Sequence, residues 1–277
     1  MTPAVRACSI SRRIVHWRMT SAFRGTRRLY NSRVPILLFF AAAIGGALNA
    51  VAGGGSFLTL PALIVSGVSP VTANATSTLA LWPASVSSTF AYRSDIKTTR
   101  RWLLVLGLTS VAGGLAGAFL LIKTSDSSFL RLLPWLMLVA AVTFTFSNRI
   151  REATAHTGHA GLVVVAIAQF FIATYGGYFG GGMGIMMLAT MALAGMTNIH
   201  QMNGLKSFLG VSINGVALAL FIYKGAITWK YGVVMAVAAT LGAYVTAAFA
   251  RKIETRHVRT FVIVVGWGMT VYFFLRR

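Results

Sequence analysis

Acidic side chains are nearly absent from this chain of 277 residues, with only Asp95, Asp126, Glu152 and Glu254 set against 25 Lys and Arg. All four lie in or beside loops, so no apolar run holds a carboxylate. A paired acid/base site needs two carboxylates at close range, and a proton relay inside a membrane usually needs at least one. Neither is expected here. Cysteine is almost missing too: the single Cys8 excludes a disulfide framework and a thiolate metal cluster. His156 and His159 sit in a polar loop without a partner ligand, and His200 stands alone, so no metal and no cofactor is expected. The chain also lacks a Walker loop, which removes ATP as a direct drive. Nothing in it supports enzyme chemistry, and the expectation is a protein that is not an enzyme.

What the chain has instead is grease. Hydrophobic residues make up 56% and charged ones 10%, where a soluble domain averages about 25% charged. Mean hydropathy is +0.74. This is an integral membrane protein whose first partner is the lipid bilayer. A net charge of +21 would suggest nucleic acid in a soluble protein. Here nearly all the cations fall between apolar runs or within residues 1–33, without an aromatic stripe on which bases could stack. No nucleic acid is expected; positive flanks that orient membrane spans account for the charge.

Residues 1–33 carry eight Arg, several Ser and Thr and no acid, and they lack the apolar core of a secretory signal. The composition fits a disordered cytoplasmic extension, an upstream start codon in a bacterial gene, or a mitochondrial transit peptide. The first two place the protein in a bacterial inner membrane and the third in the mitochondrial inner membrane. In each case the tail is outside the fold.

Apolar runs recur from residue 34, and two of them are interrupted. The stretch 34–68 holds Gly53, Gly54 and Gly55 in a row. It would be about 52 Å long as one helix at 1.5 Å per residue, too long for one crossing and too short for two comfortable ones. We expect a full or partial span joined to a half-helix. The interruption returns: "GGGSFL" begins at Gly53 and "GGMGIM" at Gly181, an offset of 128. "GVSPVTANATST" from Gly67 is answered by "GMTNIHQMNGLK" from Gly195 at the same offset. Two further pairs follow in the same order, "FAYRSDI" with "FIYKGAI" and "GGLAGAFLLIK" with "LGAYVTAAFARK". The pattern predicts an all-α polytopic bundle of two tandem repeats, residues 34–148 and 160–277, with about eight spanning helices and two short broken or re-entrant ones. Paired interrupted segments at matching positions point to a transporter's binding site. Charge alone does not choose between parallel and inverted repeats. Loops 93–101, 147–157 and 251–259 are all basic, but eight spans with two re-entrant segments separate the third loop from the others, whereas ten crossings oppose all three to the tail.

With "AGGGSFLTLPALIVSGVSPVTANATSTLA" in the first half and "GGYFGGGMGIMMLATMALAGMTNIHQMNGLKSFL" in the second, extended by "YKGAITWKYGVVMAVAATLGAYVTA", the chain resembles the sulfite exporter TauE/SafE family. The resemblance covers roughly residues 40–275. It implies a secondary transporter exporting a small sulfur oxyanion or organosulfur anion such as sulfite or sulfoacetate. Where many members carry Asn-Lys after the first half's turn, this chain has Ser77-Thr78, and only the second half keeps its lysine, Lys206.

Broken backbone in lipid is tolerated only where protein or a watery cavity surrounds it. Gly54 and Gly55 permit a sharp turn, and Ser56 would cap the half-helix that follows. A helix N-terminus offers free N–H groups to an oxyanion. Gly182, with Gly180, Gly181 and Gly184, would present a second such end. The rival account is that these glycines only let helices pack closely. Polar residues after each short segment, Asn74 and Ser77 in one half and Asn203, Lys206 and Ser207 in the other, are the remaining candidates for substrate contact. Thr76, Thr78, Ser212 and Asn214 accompany them, and Asn49 and Gln169 precede the glycine stretches. Lys206 is the only charge inside a long apolar run. An ionisable residue there marks a functional site unless it snorkels to the interface. Two other classes remain open: a non-transporting membrane scaffold and an anion channel of the same fold. The sequence is also compatible with a homo-oligomer.

Overall fold

The computed structural model describes residues 34–51, 53–91, 93, 100–155, 160–249 and 255–276. The Arg-rich tail with Cys8, and also Asp95, His156, His159 and Glu254, lie outside the described residues. The described residues form helices and connecting turns, with no strand. The helices are α1 (Val34–Val51), α2 (Ser56–Val65), α3 (Pro70–Ala91), α4 (Arg100–Lys123), α5 (Asp126–Ala155), α6 (Leu162–Tyr178), α7 (Met183–Leu193), α8 (Ile199–Tyr223), α9 (Trp229–Phe249) and α10 (Thr255–Leu275). Helices α6 to α10 repeat the order of α1 to α5, and their starting positions follow at a nearly constant offset, from 34 and 162 for the first pair to 126 and 255 for the last.

The expected all-α membrane architecture is what the chain adopts. Among the described residues, Arg100–Lys123, Asp126–Ser147 and Ile199–Tyr223 are each long and apolar enough to cross a bilayer unaided. At 10 and 11 residues, α2 and α7 extend about 15–17 Å, half of a ~30 Å hydrocarbon core. Apart from the exposed Val65 at the end of α2, both are covered by protein. Phe57, Thr59, Leu60, Pro61 and Leu63 of α2 are buried, as are Met183, Gly184, Met187, Thr190, Met191 and Ala192 of α7. Longer helices carry the exposed apolar surface, such as Leu108 on α4 and Val163 on α6. The broken backbone is thereby kept from lipid, which has no hydrogen bonds to offer it.

Each short helix turns back along its predecessor. A β-carbon on Gly45 of α1 would lie 2.9 Å from the Thr59 side chain and 3.1 Å from the Gly55 carbonyl oxygen. In an unbroken helix residues 45 and 59 would be about 21 Å apart, so α2 folds back towards the side on which α1 began. In the second half the Gly176 position meets Met183 in the same way. Gly53 and Gly182 make these reversals at φ +80° and +82°, a region closed to most residues with a β-carbon.

The halves exchange helices. α1 packs against α9 and α6 against α4, with α5 and α10 against each other. The exchanged contacts bring backbone to backbone. A β-carbon on Gly46 would lie 2.0 Å from the Ala239 oxygen, and one on Gly242 1.9 Å from the Ala43 oxygen. Gly117 stands 2.0 Å from the Thr174 oxygen by the same measure, and Gly177 2.2 Å from that of Gly114. Close approach through small residues is the ordinary means of helix association in membranes, where lipid supplies no hydrophobic drive. The buried Gln169 belongs to this frame: its Nε2 donates to Ser110 Oγ at 2.8 Å, tying α6 to α4.

Candidate functional site

The two breaks meet. A β-carbon on Gly53 would lie 3.9 Å from Gly184 Cα, and one on Gly180 3.9 Å from Ser56 Oγ. Beside this meeting point is a cavity of about 60 Å³, room for about four waters or one small polyatomic ion. Its walls come from both halves. Asn49, Gly53 and Ser56 line it with a face of α3 formed by Thr78, Leu81, Ser85 and Ser88. Gly180 and α7 (Met183, Gly184, Met187) line it from the other side, with Lys206, Ser207, Gly210 and Asn214 of α8.

Lys206 is the only charged residue in that wall. Its stem crosses the first turn of α7, where a β-carbon on Gly184 would lie 3.3 Å from Lys206 Cδ and 4.0 Å from Cε. A side chain at Gly184 would crowd the lysine stem there. α8 is started firmly upstream: Asn198 Oδ1 accepts from the main-chain N–H groups of His200 (3.0 Å) and Gln201 (3.2 Å). The first turns of α2 and α7 also reach the cavity, through Ser56 and through Met183 and Gly184. Such ends carry partial positive charge, but the N–H groups of Phe57, Leu58 and Ile185 are not free: they turn back to the carbonyls of Gly54, Gly55 and Gly182. Among the described residues, no carboxylate lines the cavity. The site is therefore electropositive, with nothing in its wall to neutralise Lys206.

The serines are held in known directions. Ser85 Oγ donates to the Leu81 carbonyl at 3.1 Å and accepts from Asn49 Nδ2 at 3.0 Å. Ser88 Oγ donates to Ala84 and Thr78 Oγ1 to Asn74, each to a carbonyl at 3.0 Å. Their protons are thus engaged by the helix in this arrangement, which leaves oxygen lone pairs as their remaining hydrogen-bonding capacity.

Of the sequence candidates, Ser56, Lys206 and Ser207 come together at the cavity, with Asn49, Gly53, Thr78, Gly180, Gly184 and Asn214 around them. The remaining ones are placed elsewhere. Gly54 packs under Val262, Phe144 and Phe57, Gly55 against the Gly45 carbonyl, and Gly182 against Ala140. Asn74 is buried and its Nδ2 donates to the Tyr178 carbonyl at 2.9 Å, just before the second break. Ser77 is buried and shares a 2.6 Å hydrogen bond with Thr59 Oγ1. Asn203 is on α8 outside the cavity wall. Ser56 does not cap α2: Gly55 occupies the cap position with αR torsions, and Ser56 is the first helical residue. The turn from Gly53 brings Gly55 into the helical region one residue earlier than the serine pattern suggests.

Sequence reasoning missed Ser85, Ser88, Met183, Met187 and Gly210. A signal existed for the α3 face, because Thr78, Leu81, Ser85 and Ser88 recur at intervals of three or four, which places them on one side of a helix.

Residues 38–273 match the family model described as sulfite exporter TauE/SafE. The chain is similar to the "Probable membrane transporter protein ORF9" of a Sinorhizobium species, at 28% identity over 235 residues covering 84% of this chain and 90% of that protein. It is similar to the "Probable membrane transporter protein YfcA" of Escherichia coli strain K12, at 29% over 236 residues, 84% of this chain and 87% of the other. A "Probable membrane transporter protein" of Haemophilus influenzae is 27% identical over 237 residues, 84% of this chain and 92% of that one. No solved structure matches the chain. The family match runs through both broken helices and every residue that lines the cavity, and the chain belongs to the sulfite exporter TauE/SafE family.

Proposed function

We propose that this protein is a secondary transporter that moves a small anion, sulfite, sulfoacetate or a related sulfur oxyanion or organosulfur anion, out of the cell across a bacterial inner membrane. One observation carries the proposal: a cavity walled by both halves, holding the Lys206 cation and two helix starts, without a carboxylate. An unpaired cation in a low-dielectric site is costly, and a substrate anion is the natural partner to offset it. The family and the bacterial relatives named as transporters support the same class.

The folding back of α2 and α7 supports inverted halves. If α1 with α2, and α6 with α7, each enter and leave by one face, α3, α4 and α5 bring the chain to the opposite face before α6 begins. The basic loops 93–101, 147–157 and 251–259 then share one side, as the positive-inside rule favours.

The test is flux in proteoliposomes with labelled sulfite, sulfoacetate and sulfate. A carrier shows accelerated exchange when unlabelled anion is trapped on the far side. Flux without such counterflow would identify a channel, and no flux of any anion would leave the scaffold reading.

A further inference from the structure

α3 and α8 flank the cavity and line it with matched positions. Thr78, Leu81 and Ser85 correspond to Ser207, Gly210 and Asn214, each pair at an offset of 129, the offset between the helix starts at Pro70 and Ile199. A side-chain hydrogen bond joins the two helices directly: Trp82 Nε1 donates to the main-chain oxygen of Val211 at 3.2 Å. The indole lies on the bare surface of Gly215, where a β-carbon would sit 3.2 Å from Nε1 and 3.7 Å from Cε2 and Cζ2. Trp82 and Val211 are themselves a matched pair at that offset. The bond therefore falls where the two halves meet position for position, and valine has no donor with which to return it.

Both helices are weakened in the same register beside this contact. Pro83 lies inside α3, so no N–H reaches back to the Leu79 carbonyl, and its ring strains that turn. On α8, Ser212 Oγ donates to the Phe208 carbonyl at 3.0 Å, a back-bond that bends helices. Ser212 is the counterpart of Pro83, and Phe208 that of Leu79, at the same offset again. Two bend-prone turns thus lie side by side, pinned by one aromatic side chain. A buried indole N–H usually finds a hydrogen-bond partner, and inside a membrane few besides this carbonyl are at hand.

We propose that Trp82 is a positioning residue for transport. Its bond to Val211 and its seat on Gly215 hold α3 and α8 together beside the cavity. The pair separates at the Leu79–Pro83 and Phe208–Ser212 turns when the cavity opens to one face. The proposal rests on the cavity being the substrate site, but its test needs no substrate.

The full chain with Cys8→Ser and Ser88→Cys, in proteoliposomes, reports opening through the rate at which a membrane-impermeant maleimide labels residue 88 from each face. Trp82→Phe keeps an aromatic ring and removes the donor. It should raise labelling from one face about fivefold, the scale of one hydrogen bond, and leave the other face unchanged. Gly215→Ala, which crowds the indole, should act in the same direction when Trp82 is present and add nothing to Trp82→Phe. An unchanged rate, a rise from both faces, or additive effects would each overturn the proposal. If Trp82→Phe fails to insert, Gly215→Ala alone decides, with a one-sided rise expected and its absence fatal. Wrong assignment of the transported anion would leave all these rates readable.

Discussion

The stretch after each broken helix is built on one plan and put to different use in the two halves. Asn74, Ser77 and Thr78 of α3 correspond to Asn203, Lys206 and Ser207 of α8. In the first half Ser77 faces inward and closes on Thr59 at 2.6 Å, so α2 and α3 are sealed to each other by their own polar groups. In the second half the lysine at the same position lines the cavity, and its stem lies across Gly184. In the first-half segment the Phe57 ring packs edge to face on Phe144. A duplicated frame has thus kept its helices and placed its charge on one side only. The symmetry holds the site together, and the departure from symmetry gives it a sign.

Removing the charge breaks the comparison most severely. Lys206→Gln should lower anion flux by about 100-fold or more while the protein still inserts, because an anion left unpaired in low dielectric costs several kcal/mol. Moving the charge should not rescue it. In Ser77→Lys with Lys206→Ser, the new lysine would have to displace the Thr59 contact from a buried position. Initial rates of labelled-anion uptake check both variants. Wild-type flux in Lys206→Gln would return that residue to snorkelling, and rescue by the moved lysine would show the halves to be interchangeable.

The shared frame should fail alike at its two exchanged contacts. Gly46→Ala and Gly117→Ala each place a methyl group 2.0 Å from a carbonyl oxygen of the partner helix. Neither backbone can yield easily, and each substitution should cost about 1–3 kcal/mol, read as a lower midpoint of thermal unfolding in detergent. A large loss for one and none for the other would show that the α1–α9 and α4–α6 contacts are not equivalent.

Much of this frame is legible in the sequence, because a glycine triplet that recurs inside apolar runs at a fixed offset is hard to reconcile with unbroken spans. Lys206 is legible for the same kind of reason, as a charge where charge is expensive. The facing of neutral residues is less so. Asn74 and Ser77 are polar, near the break and on the right helix, yet both point into protein contacts. Their spacing can be read from the chain, but not the rotation of α3 about its axis, which is set by Phe57, Leu60 and the other buried groups of α2. Ser85 and Ser88 escape notice because a serine back-bonded to its own helix is ordinary in membranes. Orientation is hidden by the short helices: charge counting changes with whether α2 returns, and only the meeting of Gly45 with Thr59 settles that it does.

Asn74 separates holding from binding. Its amide donates to the Tyr178 carbonyl beside the second break, not to the cavity. Asn74→Ala should cost about 1–2 kcal/mol of stability, since a part-buried carbonyl loses its partner, and should leave KM for the transported anion within about twofold. A KM raised tenfold with unchanged stability would bring Asn74 into the site.

The smallest effect belongs to Asp126, which also distinguishes the halves because its counterpart in the second is Thr255. It is exposed, opens α5, and accepts a hydrogen bond at 2.9 Å from the main-chain N–H of Val71 in the first turn of α3. A carboxylate suits a helix N-terminus, but at an exposed site the gain is only about 0.3–1 kcal/mol. Asp126→Asn keeps an acceptor oxygen and loses only the charge, so its unfolding midpoint should move by no more than a degree or two. Asp126→Ala loses both charge and acceptor and should move further. Because no residue of that turn lines the cavity, the dependence of anion flux on pH should be the same in both variants as in the parent. Loss of that dependence in a variant that still folds would show that a carboxylate at a helix start reaches the pathway, and the cavity would then not be the whole of it.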